Sequence, residues 1–443
     1  MSNDVEKYCS DYMKFLAAAK TERLAYAEAV RMLEAAGFKK LESAKDLRPG
    51  DCVYRGYHGK TLFAAVIGAA PAVEGIRVVG GHTDAPRLDL KPKPLYEKGG
   101  LAYFDTHIYG GIKKYQWLTL PLALYGTVVK KDGRKVDVAM GDSPGDPVFM
   151  ISDVLPHFGK EQLEKKAKDL IAAEDMDVIA GLGSTAKMLE RKYGIEADDL
   201  LSAELEIVPA GAPRDVGVDR SLIGAYGHDD RVCAYAGLHA LIELAAGVGR
   251  ARRRTSMRFL PKTGAVVLCD KEEIGSVGAS GMESSFFENT VAEIVDRQCR
   301  MARDIDVRRA LEKSQMLSAD VCAASDPHFP DADSTGNEAK LGKGPCAIKY
   351  TGAATKSGAS DARAEFVAEI RRTMDDAKVE WQMGELGRAE KGGGGTISKF
   401  MARFGMDVLD FGTPLLNMHA PWELASKHDC FHTMKAYRAF LAH

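Results

Sequence analysis

The sequence lacks the marks of several large classes of protein. Its eight cysteines, at 9, 52, 233, 269, 299, 322, 346 and 430, never form a C-x-x-C pair. That argues against a thiolate zinc site and for reduced thiols in a cytoplasmic protein. No apolar run reaches the roughly 18 residues of a membrane span. The opening MSNDVEKYCSDYMKFL lacks the charged-then-apolar layout of a signal peptide. With a formal net charge of −3, the chain has no basic footprint for nucleic acid beyond a short solvated cluster, Arg250 with Arg252–Arg254. The glycine run of GGGGTI at 392–397 lacks the Lys-Ser/Thr ending of a P-loop, which argues against a nucleotide site; its backbone N–H groups suit a carboxylate instead. Internal repeats, low-complexity tracts and long linkers are missing too.

What is present is a chain of 443 residues, too long for one simple core, with 45% hydrophobic and 28% charged residues. Residues 4–36 carry helical periodicity, with Tyr8, Tyr12, Phe15, Leu16 and Ala19 on one face. Strand-like runs fall at Thr61–Ile67, Gly75–Val79, 265–269, 346–350 and 407–411, and helices at 230–246, 361–375 and 429–442. From Leu95 to Pro213 the texture changes to short strands. The hairpin YGTVVKKDGRKVDVAM turns at Asp132-Gly133 there, and a polar helix is expected over Lys160–Glu174. The expected fold is therefore α/β. A three-layer domain with a mixed sheet, made of residues 1–94 and 214–443, is interrupted by a mostly-β domain at 95–213.

The strand-like runs end in one kind of residue. Gly75–Val79 leads to His82 and Asp84, LIGAYGHDDR to His228, Asp229 and Asp230, and GAVVLC to the adjacent pair Glu272 and Glu273. QMLSAD ends at Asp320, and DVLDFGTPLLNMHAP carries the chain to His419. Taken singly, each has an ordinary reading as a loop histidine, a helix N-cap or a turn. If the strands run parallel, the residues converge at one sheet edge. Imidazole and carboxylate without cysteine suit hydrolytic zinc. Five ligands sharing one carboxylate suit a pair of metals roughly 3.5–4 Å apart.

The order of GGHTDAPRLDLKPKPLYEKGG, YGG at 109–111, HDDRVCAYAGLHAL, DKEEIGSVGASG, SADV and NMHAPWE resembles the aspartyl aminopeptidases, cocatalytic dinuclear-zinc exopeptidases, over nearly the whole chain. The resemblance implies a zinc-exopeptidase fold in which His82 and Asp320 hold one Zn2+ and Glu273 and His419 the other. Asp229 bridges them, with a cis bond to Asp230, and Co2+ or Mn2+ are possible substitutes. Asp84 is implied to orient His82, and Glu272 to be the general base that passes a proton from water to the leaving amine. The two adjacent glutamates are expected to converge where the strand breaks into the glycine-rich turn.

The same resemblance implies removal of N-terminal Asp and Glu from peptides, with Lys349 meeting the acidic side chain and Lys356 a weaker alternative. The sequence departs from some relatives at Ala323, where they carry histidine. The inserted domain is implied to be a dimerisation domain. His157 is implied to reach a neighbouring subunit's active site within a homododecamer built from dimers. The alternative is a related dizinc aminopeptidase or deacylase with neutral-residue specificity. No nucleic acid and no membrane are expected as partners.

Overall fold

Four buried strands that run parallel form the centre of a nine-stranded mixed sheet: Gly264–Cys269, Arg77–His82, Gln315–Ser318 and Asp407–Gly412, in that spatial order. This computed structural model describes residues 2–183, 185–252, 259–299, 301–330, 336–353, 360–387 and 393–443. Lys356 and the distal arginines of the basic cluster, Arg253 and Arg254, lie outside the described residues.

The pleat sorts the sheet's side chains into two cores. Leu62, Ala64, Val79, Val266, Leu268, Leu317 and Leu409 face one core with the helices Asn3–Ala18, Glu22–Ala35, Ala364–Asp376 and Lys427–Ala442 and the long helix starting at His228. Phe63, Ala65, Val78, Ala265, Val267, Met316 and Val408 face the other, with Phe286–Gln298, Asp304–Glu312 and Ser398–Ala402. Helices on both faces make this the three-layer α/β arrangement expected of a zinc-exopeptidase fold.

The expected single helical stretch at 4–36 is two helices. Thr21 caps the second, accepting from the Leu24 N–H at 3.3 Å. Between them the buried Lys20 turns inward, donating to the carbonyls of Pro209 and Gly211. The long helix, His228–Arg252, contains a stretch, His228–Val248, that is long and apolar enough to cross a membrane, contrary to the expectation that no apolar run is long enough. Most of that stretch is buried inside the protein, against the strands Arg77–His82 and Gly264–Cys269, as a core helix.

A six-stranded antiparallel sheet holds its own core, including Phe104, Trp117, Leu124 and Ile207. It contains the expected hairpin, Leu122–Val129 with Lys135–Met140, and Gly133 turns between them at φ 86°. Its strand Arg87–Lys98 begins before the expected boundary at Leu95, because Arg87 is charged yet buried and interrupts the apolar pattern. The polar helix expected at Lys160–Glu174 is replaced by a four-residue helix, Lys160–Leu163, and two short 3-10 turns. Leu163 is 77% exposed and Ile171 is the segment's one buried apolar side chain, so no apolar stripe stabilises a longer helix. A third, five-stranded sheet contains Leu222–Ala225, Pro414–Leu416 and Glu423–Ser426.

Candidate metal centre

Three of the chemistry-bearing segments leave the carboxyl ends of the parallel strands. His82 ends Arg77–His82, Asp320 lies just past Gln315–Ser318, and Glu272 and Glu273 follow Gly264–Cys269. The other two come from the five-stranded sheet, not from the same parallel set. Asp229 follows Leu222–Ala225, and His419 sits in the loop between Pro414–Leu416 and Glu423–Ser426. The site lies where the two sheets meet.

Both histidines point Nε2 into the cluster for the same reason. His82 Nδ1 stands 3.0 Å from the Asp84 carbonyl and His419 Nδ1 2.8 Å from the Gly111 carbonyl. A carbonyl only accepts, so each Nδ1 carries a proton, and Nε2 is the nitrogen that offers a lone pair to a metal once the ring is neutral. His82 Nε2 is 3.2 Å from Asp229 Oδ1 and 3.8 Å from Asp320 Oδ1. His419 Nε2 is 3.2 Å from Asp229 Oδ2 and 3.5 Å from Glu273 Oε2. Asp229 thus turns one oxygen to each imidazole. It precedes a cis peptide bond to Asp230.

The adjacent glutamates are brought in by a turn. Lys271 takes φ 69°, and Glu272–Ile274 form one 3-10 turn closed by Gly275 at φ 96°. Asp84 grips that turn. Its Oδ1 and Oδ2 accept the backbone N–H groups of Glu272 and Glu273, each at 3.2 Å, and the Tyr109 hydroxyl donates to Oδ2 at 2.9 Å. The Asp84 carboxylate is 3.4 Å from His82 Nδ1, farther than its own carbonyl. Asp84 therefore orients His82 mainly through its backbone, while its side chain positions the glutamates. Gly110, at φ 73°, leaves room beside that turn, since a Cβ there would stand 3.3 Å from Glu273 Cβ.

This donor set fits a divalent metal. Asp229 Oδ1 and Glu273 Oε1 are buried with no hydrogen-bond donor. Donors about 2.0–2.1 Å from one tetrahedral ion stand about 3.3 Å apart, close to the separations above. One ligand atom each from His82, Glu272 and Asp320 fall within 4.8 Å of one another, as do those of His82, Asp229 and Glu273. Electrostatics points the same way. Burial and the nearby Asp320 push Glu272 up to about 8, and burial with Asp229 raises Glu273. Burial alone would lower the His419 pKa, but the Asp229 hydrogen bond and the Glu273 charge hold it at about 10. The cluster has an excess of negative charge that a cation would offset.

Not every expected residue joins the cluster. His228 turns away, bonding the Tyr12 hydroxyl at 2.7 Å and the Ile223 carbonyl at 3.1 Å, a satisfied core histidine. His157 is exposed in the turn Pro156–Phe158, on the inserted sheet's side of the molecule. Lys349 is half-buried, with its Nζ over the Tyr350 ring at 4.9 Å. It follows Cys346–Ile348, which runs antiparallel to its neighbour, with Cys346 opposite Gly412 and Ile348 opposite Asp410. That direction leads away from the edge where the ligands gather. Among the described residues no contact joins Lys349 to the cluster. Of the GGGGTI loop, Gly393–Gly394 pair with Gly352–Ala353, and the Thr396 hydroxyl donates to Asp410 at 2.9 Å. Sequence reasoning gave no role to Tyr109, Gly111 or Glu423. All three lie in the stretches YGG and NMHAPWE that carried the resemblance.

The model of the family described as aminopeptidase I zinc metalloprotease (M18) matches residues 15–441. The chain belongs to the M18 family. It is thus a hydrolase of the zinc metalloaminopeptidase type. A probable M18 family aminopeptidase 1 of Clostridium acetobutylicum is 46% identical over 447 residues, covering 97% of this chain and 93% of that relative. A crystal structure of the M18 aminopeptidase from Thermotoga maritima is 40% identical, covers 100% of this chain and 97% of that one, and has a TM-score of 0.93. The mApe1 dodecamer of S. cerevisiae is 20% identical, covers 100% of this chain and 98% of that one, and at a TM-score of 0.80 shares the M18 fold.

Proposed function

We propose that the protein is a dinuclear aminopeptidase that removes acidic residues from peptide N-termini. The observation that carries the dinuclear part is Asp229, whose two oxygens face His82 and His419 from opposite sides. His82, Asp320 and Asp229 would hold one zinc, and Glu273, His419 and Asp229 the other, with Co2+ or Mn2+ as substitutes. Bound metal supplies Lewis acidity to the scissile carbonyl and to the attacking water. Glu272 takes the proton from that water and returns it to the leaving amine. Its neighbour Glu273 is a ligand, and Asp84 keeps the two in register through their backbone N–H groups.

Lys349 is assigned to the acidic side chain of the substrate on the family likeness, not on proximity. His157 is assigned to a neighbouring subunit's site in an assembly of dimers, a dodecamer like that of mApe1, and the protein to the cytoplasm. The lack of a contact between Lys349 and the cluster among the described residues favours a second reading, neutral-residue specificity with the same mechanism.

Hydrolysis of Asp-, Glu-, Leu- and Lys-linked chromogenic amides, before and after chelation and zinc restoration, separates these readings. Acid-selective turnover that is lost on chelation and returns with zinc supports the first. Selective loss of that turnover in K349A assigns the selector. Leu turnover with little Asp turnover supports the second. A fully metallated protein without amidase activity defeats both.

A further inference from the structure

We infer that Glu423 is a positioning residue that sets the spacing of Asp229 and His419, and so governs the affinity of one metal subsite. The inference rests on the dinuclear reading above. Glu423 opens the strand Glu423–Ser426, opposite Ala225, and is 1% exposed. Its Oε2 accepts the Asp229 N–H at 3.1 Å and its Oε1 accepts the His419 N–H at 2.8 Å. Both donors stand in irregular backbone: Asp229 is non-helical at φ −77°, ψ 108°, and His419 is left-handed at φ 65°. Neither residue is held by a strand ladder, so this carboxylate supplies the missing acceptor at both places.

The geometry closes a ring. Glu423 joins the two backbones, and the two side chains meet again where His419 Nε2 stands 3.2 Å from Asp229 Oδ2. A buried carboxylate beside Asp229 is costly, and a neutral amide would avoid the charge. An amide has only one acceptor oxygen, however, so its NH2 would face one of the two N–H donors. Only a carboxylate satisfies both. The donors on the other side, His82 and Asp320, make no contact with Glu423 among the described residues. Glu423 therefore holds two ligands of the subsite that contains His419 and only the shared Asp229 of the other, so it acts chiefly on the first.

The test is zinc binding by the full-length protein in buffered free zinc, comparing wild type with E423Q. Two zinc ions per chain are expected for wild type. E423Q should bind one ion about 10–100-fold more weakly and the other, which shares only Asp229, with a clearly smaller loss. Excess zinc should then restore its kcat with little change in KM, which a merely structural defect would not allow. Wild-type affinity for both ions in E423Q, or equal weakening of both, overturns the inference. A wild type holding fewer than two ions at saturation defeats the dinuclear reading itself, whatever E423Q does. If E423Q does not fold, E423D provides the same comparison, since it keeps both acceptors but draws them back by one methylene. Normal binding of both ions by E423D overturns the inference equally.

Discussion

The metal centre and the stretch of the inserted sheet from Leu155 to Leu182 are built on opposite terms. At the centre almost every functional group is restrained from within the chain. Each ligand histidine gives its second nitrogen to a backbone carbonyl, and Asp84 and Glu423 each grip two backbone N–H groups. Along the inserted stretch, Leu155 is 48%, Phe158 76%, Leu163 77% and Leu182 85% exposed. One region leaves only oxygens without donors, as a cation requires. The other leaves apolar side chains uncovered, as a protein partner requires. The first region draws all its proposed metal ligands from one chain. The second, which carries His157, is the one the proposed assembly would cover.

That comparison is broken most sharply by E272Q. It should lower kcat by about 10²–10⁴-fold while zinc content stays at the wild-type level, measured by amide hydrolysis alongside metal analysis. Loss of zinc with the activity would make Glu272 a ligand and overturn its separation from Glu273. On the other region, the double change F158D and L163D should dissociate the assembly, read by light scattering, and lower activity because His157 no longer reaches a neighbour. An unchanged particle mass would show that this stretch does not form the contact.

How far each region was legible follows from the kind of contact it uses. His82, Asp229, Glu273, Asp320 and His419 were readable because ligand chemistry is restricted to few residue types, and strand ends mark where they gather. Glu423 and Gly111 act on or through backbone atoms, which leave no residue-type signature. Tyr109 looks like any strand aromatic until Asp84 is beside it. The helix expected at Lys160–Glu174 failed for a different reason. Local propensity was adequate, but no apolar face was buried in the chain to support it.

Removing the metals should sharpen the contrast through pH. In the metal-free protein Glu272 and Glu423 titrate near 8, chiefly because of burial and then through their carboxylate neighbours. Folded pKa values above the ordinary glutamate value cost stability as pH rises from about 4.5 to 8. His419, raised to about 10, acts in the same direction, since its charged form is lost as pH rises. Chelated protein should therefore lose stability steadily across that window by denaturant titration, and zinc-loaded protein should lose much less. Equal slopes with and without zinc would mean that a bound cation does not stabilise the charged forms of these carboxylates.

The smallest expected effect is that of Y109F, which tests whether the restraint on the glutamate turn matters beyond its shape. The Tyr109 ring lies beneath the Arg87 guanidinium at 3.8 Å, and its hydroxyl is the only side-chain hydroxyl on Asp84 among the described residues. Phenylalanine keeps the ring and its packing and removes one hydrogen bond to an ionised, buried carboxylate, a contact worth about 1.5–3 kcal/mol. Asp84 keeps both N–H donors from Glu272 and Glu273, so the turn should persist with a looser register. We expect about tenfold lower kcat, unchanged KM and full zinc occupancy, measured by steady-state kinetics and metal analysis on the intact assembly. Unchanged kcat would mean that the two backbone N–H bonds alone hold the base in place. A loss of zinc instead would mean that Asp84 acts chiefly through His82 and not through the turn.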